Sequence, residues 1–298
     1  MRIRNPGKIS DHLWLLGTQE ACVYLVEGRQ SSALINAGMA YMLPDILRQI
    51  DQFGIEKKKI RHIVILHAHF DHVGIVPYMK RQNPEIDIYA SARAWDALGN
   101  PLALSLIDQF TRKVAARVQK GMKNNWDACD WKWSGDISGR TSKQGDVIDL
   151  GDRCIEIIET PGHSACSISA YDPEAKALFP SDAAAIPYAD QYIIAAGSSM
   201  GKYLESLTKL EKLETRLICA DHYGAVTGDE ARHYIKNSQS AAGDMGKLLT
   251  ETLDAEGSVE KAARVLVDRH YRLRPDYFVD PDILITTYTK MLSGLACP

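Results

Sequence analysis

The chain has 298 residues, of which 45% are hydrophobic and 24% charged, and its formal net charge is -3 at pH 7. This composition is typical of a globular protein with a sizeable core, and the mild negative charge argues against binding to nucleic acid or to an anionic membrane. Residues 1–7 lack the apolar run of a signal peptide, and no segment approaches the ~18 apolar residues needed to span a bilayer, so we expect a cytoplasmic protein.

The first third of the chain alternates predicted strands with predicted helices, which is an α/β pattern. Short apolar runs bounded by glycines predict the strands, and amphipathic spacing predicts the helices. The expected strands are 12–16, 23–27, 32–36, 61–66 and 86–90. The expected helices are 44–54, 73–80 and 92–98.

The strand predicted at 61–66 ends in a cluster of residue types that bind metals: His67, His69, Asp71 and His72. Three histidines and one aspartate within six positions, in a chain with nine histidines, are too concentrated for ordinary surface histidines. His67 and His69 are two apart on a segment leaving a strand and can converge on one ion. Asp71 and His72 can reach a second ion, so the motif offers ligands for two metals.

An amphipathic helix is expected from Pro101 to Lys123, because apolar residues recur there every three to four positions. Its polar face holds a dense group of cations: Arg112, Lys113, Arg117, Lys120 and Lys123. A solvated helix face explains this group better than a site for substrate phosphates does. Residues 124–143 are expected to be irregular, so that about 100–145 forms an insertion.

Three later predicted strands also end in a histidine or an aspartate. The strands expected at 154–159, 177–179 and 217–220 precede His163, Asp182 and His222, and two more strands are expected at 147–150 and 167–171. Ligands in α/β layers bind outside the carboxyl ends of strands. The four strand ends are therefore predicted to share one crevice.

The character of the chain changes after His222, where no strand-like run remains and helical spacing dominates. Helices are expected at 228–254, 259–268 and 281–292, and a further helix at 200–213 precedes this point. We therefore divide the chain into a catalytic domain, 1–225, and an all-helical extension, 226–298. The extension is also a candidate interface for a homodimer.

The order and spacing of these motifs resemble those of the metallo-β-lactamase superfamily, whose members are mostly dinuclear metal hydrolases. The pattern His-x-His-x-Asp-His carries the resemblance, which extends over roughly residues 10–225. It implies an α/β fold of the αββα sandwich type, here with an all-helical C-terminal extension. It also implies a first metal held by His67, His69 and His163, a second held by Asp71, His72 and His222, and Asp182 as the bridge between them.

Two stretches depart from the usual superfamily pattern. Ser181 stands directly before Asp182, where glycine is usual, and Asp221 lies in Ala220-Asp221-His222, where Pro-Gly-His is commoner. Neither change removes an expected ligand.

The expected chemistry follows from two divalent cations ~3.5 to 4 Å apart, which make a bridging water largely hydroxide near neutral pH. That hydroxide attacks an activated carbonyl, and the metals hold the resulting oxyanion. Asp71 and Asp182 are the expected catalytic carboxylates, with Asp71 able to relay a proton to the leaving group. Zinc is the favoured metal, with iron and manganese as alternatives.

In organisation the chain is most similar to the 2-aminobenzoylacetyl-coenzyme A thioesterase and quinolone-signal-response proteins. This likeness implies a small-molecule ester or thioester substrate and an extension whose residues 271–288 cover the metal crevice. The enzymatic alternatives are lactone hydrolysis, glyoxalase II-like hydrolysis of an acylglutathione, and phosphodiester hydrolysis, and the mild acidity of the chain disfavours the last. The non-enzymatic alternative is a metal-bearing signalling effector that acts through a protein partner.

Overall fold

The computed structural model describes residues 1–119 and 126–296. Within these residues two mixed β-sheets pack face to face and helices cover their outer faces, which confirms the expected αββα sandwich with a helical extension. The strands are β1 (Arg2–Ile3), β2 (Gly7–Ser10), β3 (Leu13–Gly17), β4 (Cys22–Glu27), β5 (Ser32–Ile35), β6 (Ile60–Val64), β7 (Asp87–Ser91), β8 (Arg140–Ser142), β9 (Val147–Asp149), β10 (Cys154–Glu159), β11 (Ile168–Asp172), β12 (Ala177–Phe179), β13 (Ile186–Tyr188), β14 (Gln191–Ile193), β15 (Leu217–Cys219) and β16 (Ala225–Thr227).

The helices of the described residues divide between the sandwich and the extension. They are α1 (Leu43–Gln52), α2 (Val76–Gln82), α3 (Ala92–Leu98), α4 (Pro101–Val118), α5 (Met200–Leu210), α6 (Asp229–Glu256), α7 (Val259–Leu273) and α8 (Pro281–Ala296). None of the helices in the described residues is long and apolar enough to cross a bilayer.

One sheet has the order β2-β3-β4-β5-β6-β7-β8, antiparallel as far as β5 and parallel from β5 onward. The other has the order β1-β16-β15-β12-β11-β10-β9, in which only β12 and β15 are parallel. A main-chain hydrogen bond of 2.8 Å from the amide of Ile168 to the carbonyl of Leu66 links the two sheets next to the metal-ligand motif.

The strands at the centre of the sandwich are buried on both faces. In β4, Tyr24 and Val26 lie in the core between the sheets, while Val23 and Leu25 point the other way, into the core beneath the helices. Alternate side chains of a strand point to opposite faces. Burial of both faces therefore explains why these strands read as uninterrupted apolar runs.

The turn that carries Asp71 and His72 delays the start of α2, which begins at Val76 and not at the predicted residue 73. The amides of Gly74 and Ile75 instead donate to the carbonyls of Gly38 and Ala37, at 2.8 and 3.1 Å. These two bonds fasten the turn after His72 to the neighbouring segment.

The structure also corrects two predictions about irregular or strand-free segments. The end of the stretch predicted as irregular, Arg140–Ser142, is a strand that pairs in parallel with β7. A strand also follows His222, where none was predicted, because β16 bonds to β15 and β1. Both strands are three residues long, too short to show an alternating pattern. The predicted end of the long helix, including Lys120 and Lys123, lies outside the described residues.

Candidate metal centre

The structure brings all seven predicted ligands together at one end of the sandwich. The motif from His67 to His72 follows β6, His163 follows β10, Asp182 follows β12 and His222 follows β15. Their side chains form overlapping groups in which candidate ligand atoms lie within 4.8 Å of one another. The four strand ends therefore share one crevice, as the sequence predicted.

The first group consists of three histidines. Nδ1 of His69 lies 3.1 Å from Nε2 of His67 and 2.9 Å from Nε2 of His163. Three ring nitrogens thus converge on a single point, which is the arrangement needed for one cation.

The second group combines Asp71, His72 and His222. Nε2 of His72 lies 3.5 Å from Oδ1 of Asp71, and Nε2 of His222 lies 3.8 Å from Oδ2 of the same carboxylate. Together with the first group, this second set of converging atoms can serve another cation.

Asp182 lies between the two groups. Its Oδ2 is 3.4 Å from Nε2 of both His163 and His72, and its Oδ1 is 3.4 Å from Nε2 of His222. One carboxylate therefore faces nitrogens of both groups, which is the position that a bridging ligand requires.

Backbone carbonyls hold the outer nitrogens of two of the histidines, His163 and His222. Nδ1 of His163 donates to the carbonyl of Ala195 and Nδ1 of His222 donates to the carbonyl of Glu20, each at 2.5 Å. A proton fixed on Nδ1 leaves the Nε2 lone pair free to bind a metal.

Burial and neighbouring charges set the protonation of the group. Burial, with the adjacent histidines, lowers the pKa of His67 far below its usual value and that of His69 to about 3. Burial alone would raise the pKa of Asp71, but His72 and His222 lower it to about 2. Asp182 and Asp71, in contrast, raise the pKa of His72 and His222 despite their burial. Neutral imidazoles and ionised carboxylates are the forms that bind metals, so binding of a cation would displace protons from these two rings.

The residues present fit a pair of divalent cations. Nε2 of His72 is buried and has no hydrogen-bond partner, although it points toward two carboxylates. A buried polar atom without a partner is costly, and a cation at the centre would satisfy it. Imidazole and carboxylate ligands suit zinc, iron or manganese.

Two glycines allow the ligand loops to approach their neighbours. A Cβ on Gly74 would lie 2.1 Å from the amide nitrogen of Ala40, and one on Gly162 would lie 2.4 Å from the backbone of Tyr203. Gly162 also has a φ of +142°, which side-chain-bearing residues rarely adopt. Glycine at these positions keeps the loops of His72 and His163 close to the body of the protein.

An apolar cavity of about 500 Å³ opens onto the centre. Helix α4 contributes Leu106, Ile107 and Phe110 to its wall, and the extension contributes residues from 277–290. The ring of Phe278 stacks on the imidazole of His222. Within the stretch 271–288, residues 277–279, 283, 284, 286 and 287 line this cavity.

The cations Arg112, Lys113 and Arg117 of α4 contact other groups of the protein. Arg112 pairs with Asp127 at 3.1 Å, and Lys113 pairs with Asp282 of α8 at 2.5 Å. The guanidinium of Arg117 donates to the carbonyl of Tyr277 at 3.2 Å. These contacts also show that the face is not simply solvated.

The metallo-β-lactamase superfamily model matches residues 20–222, which contain all of the ligand motifs. The chain belongs to the metallo-β-lactamase superfamily. Among relatives in this superfamily, the acyl-coenzyme A thioesterase MBLAC2 of Gallus gallus is 26% identical over 255 residues, covering 80% of this chain and 85% of that protein. The Homo sapiens protein of the same name is 28% identical over 172 residues, covering 54% of this chain and 57% of that protein.

A solved structure supports the superfamily fold over nearly the whole chain. The metallo-β-lactamase family protein from Thermus thermophilus has a TM-score of 0.68, covering 97% of this chain and 95% of that one, at 14% identity. At this identity the likeness concerns the fold alone.

Sequence reasoning missed several side chains around the superfamily motifs. The cavity wall includes Tyr277, which no local motif singles out. Sequence reasoning also missed the contact between Ser181 and Asp221 and the position of Lys290, from α8, on the cavity wall. Residues far apart in sequence make these contacts, so no local pattern indicates them.

Proposed function

We propose that this chain is a metal-dependent hydrolase that cleaves thioesters with an apolar acyl group. The observation that carries the proposal is the apolar cavity of about 500 Å³ with the His/Asp cluster in its wall. A cavity of this size suits a small-molecule ligand. The thioester carbonyl would lie at the cluster and the acyl chain between α4 and the extension.

The proposed ligand sets follow the two converging groups. One ion would be held by His67, His69 and His163, the other by Asp71, His72 and His222, with Asp182 shared between them. When bound, two divalent cations supply a hydroxide nucleophile near neutral pH and polarise the carbonyl.

The protein's own side chains would orient the substrate and transfer the proton of the attacking water. Asp71 and Asp182 both reach the cavity wall, so either carboxylate can accept a proton from the attacking water. We assign the transfer to the leaving thiolate to Asp71, because Asp182 is more enclosed by histidines. Phe278, Ile283 and Leu284 would exclude water from the acyl chain.

Lys290 supports a substrate with an anionic group beside the acyl chain. It is exposed, lies on α8, and is the only cationic side chain besides histidine among the described residues lining the cavity. A phosphate of a coenzyme A thioester can interact with it at the mouth of the cavity. The names of the chicken and human relatives agree with this substrate class.

The test combines metal analysis with a substrate panel. The purified protein is expected to bind two divalent ions per chain and to cleave an acyl-coenzyme A faster than an acylglutathione, an acyl-homoserine lactone or bis-nitrophenyl phosphate. His163→Ala should abolish turnover, while His233→Ala, at an exposed site on α6, should not. Absence of metal, preferential cleavage of another substrate, or metal binding without turnover would overturn the proposal.

A further inference from the structure

Ser181 and Asp221, which both depart from the superfamily pattern, contact each other, although 40 positions separate them in the sequence. Oγ of Ser181 donates to Oδ2 of Asp221 at 2.5 Å. Both residues are buried, and each directly precedes a predicted ligand, Asp182 or His222. The two departures are therefore one structural feature.

Each member of this pair also contacts the outer nitrogen of a histidine. Oγ of Ser181 lies 3.1 Å from Nδ1 of His67. Because the hydroxyl donates its own proton to Asp221, it accepts from His67, whose proton then lies on Nδ1. Oδ2 of Asp221 lies 3.1 Å from Nδ1 of His72, as an ion-pair contact and not as a well-aligned hydrogen bond.

The partners of Asp221 are unusual for a buried carboxylate. Its side chain is fully buried, and within residues 1–119 and 126–296 its ion-pair contact is to His72 and not to lysine or arginine. A metal-bound His72 is a neutral imidazole, and burial of a carboxylate without a cationic partner is costly. A positive centre on the far side of the two histidines would reduce that cost.

The backbone of Ser181 indicates that its hydroxyl matters. Its φ of +51° lies in the left-handed region, which glycine adopts without strain and other residues adopt at a cost. Glycine would remove the strain, but it would also remove the hydrogen bonds to Asp221 and His67. A serine in this strained conformation is explained if its hydrogen bonds to Asp221 and His67 are needed.

We propose that Ser181 and Asp221 form one positioning unit that serves both metal sites. Asp221 orients His72 directly and His67 through Ser181, so that the Nε2 atoms of both histidines face the centre. His67 belongs to the ligand set of one proposed ion and His72 to that of the other. One buried carboxylate thus couples the two sites, an inference that rests on the metal binding proposed above.

The test measures metal affinity directly, independent of turnover. Metal-free protein is titrated with zinc against a chromophoric chelator, and the spectrum of the cobalt(II)-substituted protein reports ligand geometry. Asp221→Asn is expected to weaken both binding steps by about 10- to 100-fold, and Ser181→Ala to weaken mainly one. Because the residues act together, the loss in the double variant should be smaller than the product of the two single losses.

Matched variants separate this role from general loss of stability. Ser31→Ala removes a buried hydroxyl before β5, at the end of β5 and β6 opposite to the ligand motif, and Asp172→Asn alters a buried carboxylate paired with Arg153. Both should leave the two affinities and the cobalt spectrum unchanged. Ser181→Gly serves if Ser181→Ala does not fold, since glycine tolerates the positive φ.

The outcomes distinguish this inference from the proposed function. If the wild-type protein binds no metal, the proposed function fails and the inference fails with it. If the wild-type protein binds two ions and the variants bind them within twofold of its affinities, only the positioning role is overturned. Equal losses in the variants and their controls would likewise reduce the pair to a structural contact.

Discussion

The ring of Phe278 stacks on the imidazole of His222, with ring centroids 5.1 Å apart and planes 29° apart. This contact joins the segment between α7 and α8 to a predicted metal ligand, so the extension packs directly against the candidate metal centre. A tail that only capped the sheet would have no reason to reach this imidazole.

Phe278→Leu is expected to lower kcat/KM for an acyl thioester about 3- to 10-fold. Leucine keeps the site apolar but removes the aromatic pair, which is worth about 0.5 to 1.5 kcal/mol. Steady-state kinetics and metal content measure the effect, and metal content should stay unchanged. Phe53→Leu is the control, because Phe53 stacks on Trp14 at a centroid distance of 5.5 Å. Equal kinetic losses in both variants would contradict a specific role for Phe278.

Ala103→Trp is expected to exclude long acyl chains. Ala103 lies on the cavity wall in α4, so an indole there would occupy space proposed for the acyl chain. The KM for a long-chain acyl thioester should rise about tenfold, as expected for a loss of ~1.4 kcal/mol of binding, while that for an acetyl thioester should change little.

Ser105→Trp provides the matched control for this experiment. Ser105 is exposed on the same helix and is absent from the cavity wall. It should leave the chain-length profile unchanged. A profile that shifts equally in both variants would place the acyl chain elsewhere.

Lys290→Glu is expected to raise the KM for acyl-coenzyme A several-fold, with a smaller effect on a neutral thioester such as an acyl-N-acetylcysteamine. Reversal of charge at the cavity mouth would repel the phosphates of coenzyme A, and salt should screen the effect. Lys247→Glu, on the exposed face of α6, is the control. Equal changes for charged and neutral thioesters would contradict an anion-binding role.

The clustering of the candidate ligands was predictable because each of their segments follows a strand whose apolar run is readable from the sequence. Histidine and aspartate at the ends of β6, β10, β12 and β15 form one crevice because the two sheets pack with those ends together. The spacing of the first motif and the order of the later ones were therefore sufficient to indicate the site.

The contacts around those ligands were not predictable for a different reason. Ser181 and Asp221 looked like two independent departures, since nothing local reveals that their side chains meet. Tertiary packing determines this contact. The strand β16 and the hairpin of β13 and β14 were missed because strands of three residues are too short to show a periodic pattern.

His270→Asn is expected to reduce the loss of stability on acidification. His270 is buried in α7, its Nδ1 lies 3.1 Å from the hydroxyl of Tyr288, and burial together with Arg274 lowers its pKa to about 3. In the unfolded chain the pKa is about 6.5, so between about pH 6.5 and 3 the unfolded state binds more protons. As the pH falls through this range, the free energy of unfolding therefore decreases by up to about 1.4 kcal/mol per pH unit through this group.

Urea unfolding of the chelator-treated protein between pH 7 and 4.5 measures the effect. The free energy of unfolding of the variant should decline less steeply than that of the wild type, whereas His12→Asn, at an exposed site, should parallel the wild type. Parallel curves for His270→Asn and the wild type would mean that His270 takes up its proton in the folded protein as readily as in the unfolded chain.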